Sequence, residues 1–166
     1  MTEIHLIRHA RAQPRREGLP DGERMLTPAG RLQAERLRAA LELLGVHYEV
    51  LWTSPLLRAR QTAELLAPLA AAVIEEPELA GGWGPELAER LRVRGKAVAL
   101  VGHEPDLSHV AAALLGGEPE AYVFKKSGLY AIRWGKRPQL RFVLTPGLLK
   151  RLLGSDDQPP AVDALE

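Results

Sequence analysis

Residues 3–10, EIHLIRHA, decide how the chain is read. Ile4 to Ile7 have the length and branching of a buried strand, and Arg8 and His9 stand where that run stops. In an open α/β sheet, residues just past the carboxyl end of a strand line the crevice that takes ligands. A guanidinium beside an imidazole suits an anion site holding a nucleophile or a proton shuttle. Taken alone, the pair reads more readily as a polar strand terminus. The other half of a site has to come from elsewhere in the chain.

The same transition recurs twice. Residues 48–53 form a second apolar run, followed by Ser54 and Pro55, which look like an N-cap and a first-turn proline. The helix expected there runs to about Leu69 and carries Arg58 in its first turn. A cation is disfavoured at that end by the macrodipole, which makes sense if an anion shares the spot. The competing reading is a surface arginine meeting Glu64 or a neighbouring loop, and Arg60 is read that way. Residues 97–101, AVALV, are the most apolar strand and are expected at the sheet centre. They run into Gly102, His103, Glu104 and Pro105, and a helix closed by Gly116 and Gly117 follows.

Between these landmarks, residues 11–23 are a polar loop whose Arg11, Arg15 and Arg16 are read as solvated. Thr27 and Pro28 open a helix that keeps Ala34, Leu37 and Leu41 on one face until Gly45. Arg31, Glu35, Arg36, Arg38 and Glu42 are assigned to its solvated face. A short strand over 71–74 precedes a glycine-rich loop at 81–84, which lacks the signatures of a nucleotide cradle. A short helix is expected over 85–94. Residues 129–134 and 140–144 suggest an antiparallel hairpin at a sheet edge, with Lys125 and Lys126 as a basic rim. His5, His47 and His109 have no motif around them. The expectation is one domain over 1–153 and a frayed tail over 154–166.

Bulk properties narrow the function classes. The 166 residues carry a net charge of +1, with 46% hydrophobic and 26% charged residues, as in an ordinary soluble globule. So even a balance predicts no broad attraction to nucleic acid or membrane. There is no cysteine, hence no disulfide, thiolate metal site or cysteine nucleophile. No signal segment or membrane span is evident, which leads to a cytoplasmic expectation.

Strands alternating with helices imply a mainly parallel sheet with its strand ends on one edge. That edge would gather Arg8, His9, Arg58 and His103. Two guanidiniums and two imidazoles suit a phosphoryl group: each arginine can give paired hydrogen bonds, and a neutral imidazole has a lone pair able to attack phosphorus. Metal ligation fits poorly, because the arginines repel a cation and no carboxylate accompanies the histidines. A serine triad lacks its G-x-S-x-G elbow.

LIRHA, LTPAGRLQAERL, TSPLLRARQTAE and VGHEP, in that order, resemble the histidine phosphatase superfamily, and within it the short phosphohistidine phosphatases of the SixA type. The resemblance covers roughly residues 3–150. It implies a phosphoglycerate mutase-like, three-layer αβα sandwich and a covalent phosphohistidine mechanism without metal or other cofactor. By motif position His9 matches the nucleophile, Arg8 and Arg58 the phosphate ligands, and His103 the second histidine, which binds the phosphoryl group. Glu78 is the best positional match for the proton donor, although its surrounding motif is not preserved. Ala10 stands where the family usually has glycine, and would be strained if that backbone needed a positive φ. The expected substrate is phosphohistidine on a protein. The alternatives are a small-molecule phosphomonoesterase acting on a sugar or cofactor phosphate, and a noncatalytic phospho-ligand binding module.

Overall fold

The computed structural model describes residues 2–82, 87 and 96–154. Six strands form one sheet: β1 (Thr2–Arg8), β2 (Val50–Thr53), β3 (Val73–Glu75), β4 (Ala97–Gly102), β5 (Leu129–Trp134) and β6 (Gln139–Leu144). Their order is β3-β2-β4-β1-β5-β6. The pairings among β1 to β4 are parallel, whereas β5 and β6 add an antiparallel edge. The apolar β4 lies at the centre beside β1, as expected, and the hairpin is at the rim.

Alternation along the strands builds two cores. Ile4, Leu6, Val98 and Leu100 face one way and pack with Leu107, Ala111 and Phe124, under helix α3 (Asp106–Leu115). Ile7, Leu51, Ala99 and Val101 face the other way and pack with Leu37, Leu41, Ala59, Leu66 and Leu149. Those last five belong to α1 (Pro28–Leu43), α2 (Leu57–Leu66) and α4 (Pro146–Leu153). Helices therefore cover both faces of the sheet, giving the three-layer αβα architecture. No helix among the described residues is long and apolar enough to cross a membrane.

Several details depart from the sequence reading. β2 starts at Val50, and Tyr48 joins β3's approach only through an isolated bridge to Ala70. Helix α2 begins at Leu57, with Leu56 at its cap and no capping side chain, so Ser54 and Pro55 lie ahead of it. Pro105 sits at the cap position of α3 rather than inside its first turn. Helix α4, capped by Thr145, carries the same Thr-Pro signal as α1. By packing on α1 it also explains Arg36, which is buried rather than on the solvated face. The expected 85–94 helix lies outside the described residues, apart from a buried Leu87. So does the expected tail, apart from Gly154.

One glycine in α1 is required by a close approach. A Cβ on Gly30 would meet the Arg11 carbonyl oxygen at 2.0 Å. That same oxygen accepts from the Thr27 amide at 3.0 Å, which pins the loop after β1 against the helix start.

Candidate active site

Strand register assembles the site. Arg8 pairs with Gly102 in the parallel β1–β4 ladder, so the next residues, His9 and His103, leave neighbouring strands side by side. Their ring centroids are 5.0 Å apart. Thr53 pairs with Val101 in the β2–β4 ladder, and the Ser54 amide donates to the Val101 carbonyl. This sets Ser54 beside His103, where its Oγ and the ring Nε2 share a 2.7 Å hydrogen bond. From the other side, the Ser127 amide donates to the carbonyls of both Arg8 and His9, at 3.0 and 3.1 Å.

His9 is held in one tautomer. Its Nδ1 lies 2.7 Å from the Ala10 carbonyl oxygen, which can only accept, so Nδ1 carries the proton and Nε2 keeps its lone pair. Burial above all, opposed by the Ala10 hydrogen bond and reinforced by His103, Arg58 and Arg8, pushes His9 down to about 3. Burial and the Arg58 charge likewise push His103 down to about 4. Both rings are neutral near pH 7.

Ala10 itself is fully buried, and its amide donates to Thr62 Oγ1 at 3.1 Å. Its φ is not positive: among the described residues Ser127, at φ 58°, is the non-glycine residue with that conformation. Alanine therefore fits at this position without backbone strain.

The two arginines are fixed by the backbone of other segments. Arg8 donates from one terminal nitrogen to the Phe124 carbonyl at 2.7 Å. Phe124 is in turn placed by Glu104, whose carboxylate accepts its amide at 2.9 Å. Arg58 is 5% exposed and donates to the Asp21 backbone oxygen at 2.6 Å and to its carboxylate at 2.9 Å. The neighbouring-loop contact and the site position are thus both realised in Arg58. Slight burial works against the ionised Asp21, yet the Arg58 hydrogen bond and charge hold its carboxyl at about 2.

Around this junction Arg8 Nε, Arg58 Nε, His103 Nδ1 and Ser127 Oγ are buried and have no hydrogen-bond partner among the described residues. Buried donors are rarely left without an acceptor, and a site that receives an oxyanion supplies one.

Glu78 lies elsewhere on the same edge. The Glu76 amide donates to the Thr53 carbonyl, and Glu78 follows, exposed, in the turn Pro77–Ala80. The largest charge effects on the two histidines come from Arg8, Arg58, Arg24 and Asp21, and His103 also acts on His9. Arg60 pairs with Glu75 at 3.4 Å, and Arg11, Arg15 and Arg16 are exposed. The sequence reading had no role for Ser54, Thr62, Asp21 or Ser127. Only Ser54 had a usable signal, its place at the end of the second strand.

Residues 4–84 match the histidine phosphatase superfamily (branch 1). An uncharacterized protein of Picosynechococcus is 38% identical over 143 residues, covering 80% of this chain and 86% of its own. A candidate phosphohistidine phosphatase SixA from Agrobacterium tumefaciens superposes with a TM-score of 0.77 at 26% identity, covering 87% of this chain and 99% of that one. A candidate α-ribazole-5′-P phosphatase from Escherichia coli gives 0.68 at 23% identity, covering 88% and 98%, which is a likeness of fold.

Proposed function

Starting from the chain's membership of the histidine phosphatase superfamily, we propose that it is a phosphatase working through a phosphorylated His9, with phosphohistidine on a protein as its substrate. The observation that carries this reading is the pairing of a tautomer-locked, neutral His9 with buried, unpartnered nitrogens on Arg8, Arg58 and His103.

In the first step His9 Nε2 attacks phosphorus, a new N–P bond forms, and the N–P bond of the substrate breaks. The substrate reacts as its phosphoimidazolium, with the other ring nitrogen protonated, so the ring takes the N–P electron pair and departs as neutral imidazole. Arg8, Arg58 and His103 donate to the phosphoryl oxygens, whose charge grows in the transition state. In the second step water attacks phospho-His9, inorganic phosphate leaves, and the lone pair returns to Nε2. Ser54 positions the His103 ring, Ala10 the His9 ring, and Asp21 the Arg58 fork. Glu78 is the proton donor when the leaving group is an alkoxide.

A protein substrate is supported by the short connection between β3 and β4, which leaves little room for a long cover over the site. Only residues 76–96 link β3 to β4, and Arg8 itself lines a hollow of about 330 Å³ together with Glu104, Tyr122 and Phe124.

The test is phosphate release from a phosphohistidine-bearing carrier protein and from a panel of small phosphomonoesters, for wild type and His9→Ala. Release from the carrier, lost in His9→Ala, together with an acid-labile, base-stable label on wild type, is the expected result. Release confined to the small esters transfers the activity to a small-molecule phosphomonoesterase. No release and no label leaves a phospho-ligand binding module.

A further inference from the structure

Beside the phosphoryl pocket, and sharing Arg8 with it, the surface carries a basic trough whose other residues the reaction itself does not use. Arg8, Gln33, Lys125, Lys126, Pro146 and Gly147 line a hollow of about 570 Å³. A second hollow of about 520 Å³ shares Gln33, Pro146 and Gly147 and continues past Arg11 and Leu32 towards Lys150. We propose that this trough binds an acidic, extended segment of the phosphorylated protein, next to the residue that carries the phosphoryl group. The inference deepens the protein-phosphatase reading and rests on it.

Four observations carry it. The first is position. Ser127 hydrogen-bonds the carbonyls of Arg8 and His9, so Lys126, one residue before it, is tied to the strand end that bears the nucleophile. Lys126 thus stands beside the path of a chain whose phosphoryl group reaches His9 from this side.

The second is charge. No carboxylate among the described residues lines either hollow. Among the described residues, Arg11, Lys125 and Lys126 form no ion pair. Burial together with the charges of Arg8, Arg11 and Arg24 lowers the Lys126 ammonium. Like charges gathered without a counter-charge repel one another, and an incoming carboxylate relieves that repulsion. With a net charge of +1 over the whole chain, this concentration is local.

The third is size. Two hollows that share a floor of Gln33, Pro146 and Gly147 offer far more room than a second phosphate or a single carboxylate fills. A few residues of extended chain fill it.

The fourth separates peptide from nucleic acid. None of the residues lining the two hollows is aromatic, so nothing there stacks on bases. Pro28, Ala29 and Leu32 instead offer aliphatic surface suited to the stems of acidic side chains.

The experiment is fluorescence anisotropy with two labelled, unphosphorylated peptides of equal length, one rich in Asp and Glu and the other with Gln and Ser in their place. Wild type is compared with the double variant Lys125→Glu, Lys126→Glu; both lysines are exposed, and a thermal melt checks that the fold is kept. Arg11→Glu is the second variant. The acidic peptide is expected to bind wild type at least about fivefold more tightly than the neutral one, with that preference abolished in the double variant and weakened by salt. Equal binding of the two peptides, or undiminished binding of the acidic one by the double variant, overturns the proposal. Tighter binding of a single-stranded oligonucleotide of the same charge overturns it too. Hydrolysis of a phosphohistidine-bearing carrier protein by wild type is measured in parallel. Its absence alongside a retained acidic preference leaves the surface standing and removes the phosphatase reading.

Discussion

Arg58 grips Asp21 at two points, the backbone oxygen at 2.6 Å and the carboxylate at 2.9 Å. The contact spans the molecule's sequence from the loop after β1 to the first turn of α2. It occupies both terminal nitrogens of the guanidinium and leaves Nε buried without a partner. The same carboxylate also meets Arg15 and Arg24, so the loop is cross-braced at the mouth of the site. Arg58 is therefore placed before any phosphate arrives.

Asp21→Asn tests that placement. It keeps the backbone acceptor and removes the charge that steadies the fork. The expected outcome is a KM raised about three- to tenfold with kcat changed less, and a parallel loss in the inhibition constant of inorganic phosphate. An unchanged KM shows that α2 alone positions Arg58.

The Ala10 position gives a second prediction. Its φ is not positive, its carbonyl fixes the His9 tautomer, and its methyl packs with Leu26 and Ala34. Glycine there would keep the carbonyl and lose the methyl and the restriction on the unfolded chain. Ala10→Gly should leave kcat/KM within about twofold while lowering stability by about 1 kcal/mol in urea denaturation. A more stable glycine variant would reveal strain at this position.

These two residues also mark the limits of the sequence. Arg8, His9 and His103 were legible because each ends an apolar run, and a parallel sheet sends such ends to one edge. The register that sets His9 level with His103 was not legible, since the pairing of Arg8 with Gly102 depends on two segments far apart in the chain. Asp21 was hidden for a related reason: one carboxylate in an arginine-rich loop looks like solvated charge until the fold brings α2 against it. Ser54 was misread as a helix cap because serine before proline is the stronger local signal, whereas its partner, His103, is 49 residues away. Arg36 was misplaced because the helix that covers it, α4, was not foreseen.

Acid sensitivity follows from the two neutral histidines. In the folded chain His9 titrates near 3 and His103 near 4, while in the unfolded chain both protonate around 6.5. Below about pH 6.5 the unfolded state binds more protons, so stability is full above that value and falls as pH drops towards 4. At pH 5 the loss reaches up to about 2 kcal/mol for each histidine. Urea denaturation of wild type and His103→Gln at pH 7.5 and 5 measures it. The variant should lose less on acidification, and equal losses would mean that His103 protonates in place. Enzyme kinetics offer a second reading: the acid limb of kcat/KM should not show a free-enzyme group near 6.5.

Leaving-group chemistry gives the last prediction. A phosphohistidine protonated on its other ring nitrogen departs as neutral imidazole, whereas an alkyl phosphate must expel a strongly basic alkoxide that needs a proton delivered. Glu78 stands exposed on the turn after β3, on the edge that carries Ser54, His103 and His9, and it is the acid that sequence position nominates. Glu78→Gln should therefore leave kcat on a phosphohistidine carrier within about twofold. The same variant should lower kcat on any alkyl phosphomonoester that wild type turns over by about a hundredfold. Equal losses on both substrates would make Glu78 a structural residue of its turn, and no loss on either would assign the proton to another group.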